Sequence, residues 1–146
     1  MTNIDVVEIQ KILPHRFPFL LLDRVTDLVE GKTIEAFKNV TIGEQIFQGH
    51  FPNHPIYPGV MIVEGMAQAG GVLAFKSASK DDQEDTKDKV VYFMSIDKCK
   101  FRSPVTPVDR LVYRLEVIKH RGNIWVLGAK AYVDEKLVCE DRKSVV

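Results

Sequence analysis

The sequence has little of what would point away from one ordinary globular domain. It holds only two cysteines, Cys99 and Cys139, far apart and in no CxxC pair. That excludes a disulfide scaffold and fits free thiols in a reducing compartment. Charge of neither sign is in surplus, since 20 basic residues balance 20 acidic ones. Bulk electrostatics therefore gives no case for a nucleic acid or a membrane surface as partner. A long hydrophobic run is also missing: the longest apolar stretch, Val60 to Phe75, is shorter than a membrane span and carries Glu64 and Gln68. The first residues, Met1-Thr2-Asn3-Ile4-Asp5, lack the basic and apolar regions of a signal peptide. What remains is a chain of 146 residues, 45% hydrophobic and 27% charged, the size and balance of one domain around a single core. A cytoplasmic enzyme or binding domain is the expectation.

The most informative stretch is Gly49-His50-Phe51-Pro52-Asn53-His54-Pro55-Ile56-Tyr57-Pro58-Gly59, followed by an apolar segment with one acid, Glu64. Pro52, Pro55 and Pro58 each fix φ and remove an N–H donor, so the loop is stiff and cannot be helical. Gly59 then opens a helix, which makes its amide an unpaired donor at the positive end of the helix dipole. Glu64 lies in an apolar run, where desolvation can hold a carboxyl protonated near neutral pH. A base, an oxyanion donor and an acid are what proton chemistry on a thioester needs.

Around this motif the pattern predicts a short amphipathic helix over residues 4–12, capped by Asn3 or Asp5 and stopped by Pro14. Strands are expected from Phe19 to Leu28 and from Thr33 to Val40, joined as a hairpin through Glu30-Gly31-Lys32. The segment from Val60 to about Ser77 is apolar nearly all round and predicts a buried helix. Lys80 to Lys89 reads as a charged, solvated connector. Further strands are expected at Val90–Phe101, Leu111–His120, Asn123–Val133 and Lys136 to about Glu140, with hairpin spacing that argues an antiparallel sheet. One long helix against such a sheet is a two-layer α+β domain without internal division, and its strand edges invite a second copy.

Each candidate has a plainer reading beside it. A lone loop histidine is often only hydrogen-bonded to backbone, but the prolines and Gly49 favour a positioned base. His50 and His54 lie four residues apart, as helical zinc ligands do. The prolines forbid a helix there and no cysteine is near, so a metal site is not expected. Spacing alone leaves the choice between His50 and His54 open. Glu64 could be an interface ion-pair partner. Gln68, one turn on and on the same face, gives it instead an amide that can fix its orientation. Lys98, Lys100 and Arg102 alternate along one expected strand and so share a face. That face is either solvated or a docking patch for an acidic carrier protein.

In this order and spacing the residues resemble the β-hydroxyacyl-acyl carrier protein dehydratases of the FabZ type. The likeness runs from Leu13-Pro14-His15-Arg16-Phe17-Pro18-Phe19-Leu20-Leu21-Leu22-Asp23-Arg24-Val25 and Lys38-Asn39-Val40-Thr41 through Gly49-His50-Phe51-Pro52-Asn53-His54-Pro55 and Pro58-Gly59-Val60. It continues in Glu64-Gly65-Met66-Ala67-Gln68-Ala69, Tyr92-Phe93, Ile96-Asp97-Lys98, Phe101-Arg102-Ser103-Pro104-Val105 and Val138-Cys139-Glu140. The resemblance implies the hot-dog fold, a long helix wrapped by an antiparallel sheet, and a homodimer with two composite sites, assembled as a trimer of dimers. It implies His50 as the catalytic base, Glu64 of the other subunit as the acid, and Gly59 as the amide that polarises the thioester. It further implies the Ile56 carbonyl as the group holding the second nitrogen of His50, and Phe75 and Tyr92 as aromatics of the acyl tunnel. After Glu140 the chain departs from the family's apolar alternation and reads Asp141-Arg142-Lys143-Ser144-Val145-Val146.

The expected reaction is loss of water from a (3R)-hydroxyacyl chain carried on acyl carrier protein, giving the trans-2-enoyl thioester without metal or cofactor. A dehydratase that also isomerises the double bond typically has Asp at the position of Glu64. A thioesterase would use the carboxylate to activate water. A non-catalytic acyl-binding subunit would keep the tunnel and tolerate loss of His50 and Glu64.

Overall fold

The computed structural model describes residues 3–78 and 90–146, so the expected connector Lys80–Lys89 lies outside the described residues. The first helix, α1, spans Val6–Ile12 and is capped by Asp5, whose carboxylate accepts from the Glu8 amide. That satisfies one of the orphan first-turn donors. Two strands follow, β1 (Arg24–Val29) and β2 (Thr33–Asn39), paired antiparallel as the hairpin pattern predicts. A short 3₁₀ turn (Gln45–Gln48) leads to the long helix α2 (Gly59–Ser77). Then come β3 (Phe93–Phe101), β4 (Arg110–Arg121), β5 (Ile124–Val133) and β6 (Lys136–Val145). The strands form one six-stranded antiparallel sheet in the order β1-β2-β4-β5-β6-β3.

Helix α2 packs on β2, β4, β5 and β6, and it is buried nearly all round through Ile62, Val63, Met66, Ala69, Val72 and Leu73. Two glycines set how closely it lies. A Cβ on Gly65 would run into the Tyr113 ring and hydroxyl, and one on Gly70 into the Leu127 side chain at 2.5 Å. The loss of helix propensity at such positions is offset by the apolar area that close approach removes from water. A helix held on the concave face of an antiparallel sheet is the α+β, hot-dog arrangement.

Two boundaries and one register differ from the sequence reading, each for a physical reason. The expected strand from Phe19 begins only at Arg24, because the backbone before it is bonded to a side chain of α2. The Leu21 amide donates to Gln68 Oε1 at 2.8 Å and the Phe19 carbonyl accepts from Gln68 Nε2 at 2.8 Å. In β3 the register shifts between Asp97 and Lys100, and Lys98 has φ 53°. This bulge breaks the alternation expected of Lys98, Lys100 and Arg102: Asp97 opposite Arg142 and Lys100 opposite Glu140 now fall on one face. Strand β6 does not stop near Glu140 but runs to Val145, with Cys139, Asp141, Lys143 and Val145 alternating inward. The inward charges are tolerated because Lys143 Nζ donates to Asp141 Oδ1 at 2.6 Å.

Candidate active site

The loop that carries His50 is held by its own backbone. The amide of His50 donates to the Ile46 carbonyl at 3.0 Å, and its carbonyl accepts from the Ile56 amide at 3.2 Å. Phe51 and His54 exchange both backbone bonds, at 3.2 and 2.9 Å. The Tyr57 amide, donating to the Val105 carbonyl at 2.7 Å, ties the loop's end to the chain beyond β3. The imidazole is fixed as well: its Nδ1 lies 2.7 Å from the Ile56 carbonyl. A carbonyl can only accept, so Nδ1 carries the hydrogen and Nε2 is left with a free lone pair. The Phe51 ring stacks on it, centroids 4.0 Å apart. His54 is exposed, and among the described residues its hydrogen bonds are those of its backbone. Of the two histidines, His50 alone is aimed.

Gly59 begins α2, and its amide has no carbonyl partner within the helix. A Cβ here would meet the Phe101 ring at 2.5 Å, so this ring can lie against the start of α2 only because the residue is glycine. Farther along the helix, Glu64 is one-fifth exposed at its side chain. Its Oε2 accepts from Gln68 Nε2 at 3.0 Å. Gln68 is buried, and its amide cannot be turned over, because the Leu21 N–H needs the oxygen and the Phe19 carbonyl needs the nitrogen. The orienting neighbour expected of Gln68 is thus an observed contact, and it joins Glu64 to the segment before β1.

A cleft opens beside this acid, lined by His15, Glu64, Ala67, Gln68, Val91, Phe93 and Val145. His15 is the residue that sequence reasoning missed. Its Nε2 lies 3.6 Å from Glu64 Oε2, while Pro14 and Pro18 on either side read only as helix stop and loop. Burial lowers the His15 pKa, against the raising effect of the Glu64 charge, and nearby Arg16 lowers it further. Phe75 is half-buried on α2, and Tyr92, 66% exposed, pairs its backbone with Val146 just before β3. Neither lines the cleft around Glu64. Lys98 and Lys100 are exposed, and Arg102 is engaged by Glu140 at 2.8 Å. Among the described residues no hydrogen bond or ion pair joins His50 to Glu64.

Comparison with known proteins gives the family and the fold. A family model described as a FabA-like domain matches residues 13–142. The chain is similar to the Campylobacter curvus protein named 3-hydroxyacyl-[acyl-carrier-protein] dehydratase FabZ, at 77% identity over 137 residues, covering 94% of this chain and 93% of that one. The protein of the same name from Nitratiruptor sp. is 72% identical over 137 residues, with the same coverage of both chains. Among solved structures, the dehydratase heterocomplex ApeI:P from Xenorhabdus doucetiae superposes with a TM-score of 0.78 at 14% identity, covering 94% of this chain and 88% of that one. A protein from Pyrococcus horikoshii gives 0.66 at 16% identity, covering 99% and 93%. At such identities these two share the fold.

Proposed function

We infer the chemistry from the premise that this chain belongs to the FabA-like family and, within it, to the 3-hydroxyacyl-acyl carrier protein dehydratases of the FabZ type, which are hydro-lyases. The substrate is a (3R)-hydroxyacyl chain in thioester linkage to the phosphopantetheine arm of acyl carrier protein, as in fatty acid synthesis. The unprotonated Nε2 of His50 takes the proton from C2, which is acidic only because the thioester carbonyl can receive the charge. The Gly59 amide and the start of α2 stabilise that developing enolate, worth roughly 3 kcal/mol for such a donor. Glu64 gives its proton to the C3 hydroxyl, so that water leaves and the trans-2-enoyl thioester remains. The bonds broken are C2–H and C3–O, the bond formed is the C2–C3 double bond, and no redox change occurs. Phe75 and Tyr92 line the channel for the acyl chain.

His50 and Glu64 then have to meet across two chains, in a homodimer that further assembles as a trimer of dimers. Strand β3 supports this reading, because it is a sheet edge that exposes Met94, Ile96 and Phe101 at 56%, 44% and 55%. An apolar edge with unpaired backbone groups is a template for a second strand. Lys98 and Lys100, with Arg102 shared between Glu140 and solvent, form the docking patch for the acidic carrier protein. The enzyme works in the cytoplasm; among the described residues no helix is long and apolar enough to cross a membrane.

The observation that carries this reading is the His50 ring, held at Nδ1 by the Ile56 carbonyl and so left with a basic Nε2. The test is ultraviolet detection of enoyl thioester from a (3R)-hydroxyacyl carrier substrate with no metal added. Release of free carrier thiol instead would make the protein a thioesterase.

A further inference from the structure

His15 belongs to the Glu64 end of the molecule through geometry that no role has yet absorbed. Its backbone is pinned by the next residue. The Arg16 guanidinium donates to the carbonyls of Leu13 at 2.8 Å, His15 at 2.7 Å and Gln10 at 2.8 Å. This turns the arginine charge toward the end of α1 and sends the His15 ring toward α2. There Nε2 stands 3.6 Å from Glu64 Oε2, with both side chains largely buried, at 17% and 20% exposure. Its Nδ1 is buried and has no hydrogen-bond partner among the described residues.

These positions fix the ring's state. A hydrogen on Nδ1 would be a buried donor with nothing to receive it, whereas a hydrogen on Nε2 faces a carboxyl oxygen. The neutral Nε2–H tautomer is therefore the one the surroundings support. A charged ring would place a hydrogen at both positions, leaving the one on Nδ1 buried without an acceptor among the described residues. The charged groups near the ring are Glu64 and Arg16. A relay through the ring to solvent is closed off by the buried Nδ1.

Gln68 Nε2 thus donates to Glu64 Oε2 at 3.0 Å, and His15 Nε2 faces the same oxygen at 3.6 Å, just beyond a direct hydrogen bond. Among the described residues no hydrogen bond is made to Glu64 Oε1. We propose that His15 is a positioning residue: its neutral imidazole, with Gln68, reserves Glu64 Oε2 as an acceptor and leaves Oε1 as the oxygen that delivers the proton to the leaving hydroxyl. This rests on Glu64 being the acid of the proposed reaction.

The test compares His15→Leu, which keeps bulk without a donor, with His15→Gln, which keeps an N–H that cannot titrate, and takes Glu64→Gln as reference. In His15→Leu, kcat falls about tenfold or more while KM stays within about twofold, the signature of a misplaced acid. His15→Gln restores most of kcat. Wild-type kcat in His15→Leu would overturn the proposal. So would a His15→Gln enzyme as impaired as His15→Leu. If the leucine variant does not fold, His15→Met, also without a donor, is read by the same outcomes. An active Glu64→Gln enzyme would instead sink the assignment of the acid, leaving a failure that can be told from that of His15.

Discussion

Two buried polar contacts in this molecule look alike and are built for opposite ends. On α2, Glu64 meets Gln68 at 3.0 Å and His15 at 3.6 Å, its other oxygen has no hydrogen bond among the described residues, and a cleft opens beside it. On β6, Asp141 meets Lys143 at 2.6 Å with both side chains at 0% exposure, between the sheet and the helix. Burial pushes the Asp141 pKa up and the Lys143 pKa down, each opposed by the partner's charge. Among the described residues Lys143 makes one side-chain hydrogen bond and Asp141 Oδ2 makes none, so this pair is costly and under-satisfied. The difference teaches that burial of charge does not mark a site. What separates the two carboxylates is exposure, one-fifth for the Glu64 side chain and none for that of Asp141.

The largest expected effect breaks the comparison at the α2 end. His50→Ala and Glu64→Gln each lower turnover by about 10²–10⁴-fold, while their thermal melting stays near that of wild type. His54→Ala, whose imidazole is exposed, loses little. Steady-state kinetics on the carrier substrate beside a melting curve checks all three, and a dead His54→Ala with active His50→Ala would reassign the base.

At the β6 end the effect falls on stability. Lys143→Leu alone strands a buried carboxylate and costs about 3–5 kcal/mol. The double change Asp141→Ala with Lys143→Leu recovers that loss, because it removes both desolvated charges together. Chemical denaturation of the two variants measures it. A double variant as unstable as the single one would mean that the pair holds β6 in register rather than merely being tolerated there.

A smaller effect sharpens the contrast through His15. Its pKa is lowered in the folded protein, so in acid the unfolded chain takes up the proton first. Stability should fall as pH drops below 6.5, the ordinary histidine value, toward the lowered folded one. His15→Gln should remove that part of the slope, as seen by comparing unfolding free energies of the two proteins across this range. Parallel curves would show that the ring is as free to charge when folded as when unfolded.

Much of this was legible in the sequence because local chemistry and tertiary structure agree there. The cap at Asp5, the β1–β2 hairpin around Gly31 and the all-round apolar helix from Gly59 are set by nearby residues. So is the stiff His50 loop. What was not legible depends on partners distant in sequence. Phe19–Leu22 has strand-like composition, yet its backbone is claimed by Gln68, 47 positions beyond Leu21. The end of β6 looked polar because Asp141 and Lys143 neutralise each other only once both turn inward. The bulge at Lys98 leaves no mark in an alternating charge pattern, although it moves Asp97 onto the face of Lys100. His15 was hidden between two prolines, and only its approach to Glu64 across the fold gives it a role.

The central claim is that His50 and Glu64, unconnected within one chain, complete one site across two. Inactive His50→Ala and inactive Glu64→Ala proteins can be unfolded together in equal amounts and refolded. Random pairing makes about half of the dimers mixed, each with one intact and one doubly damaged site, by the arithmetic of a two-fold interface. The account predicts that activity returns to about a quarter of wild type. A refolded mixture that stays as inactive as its parents, while forming mixed dimers, would contradict it.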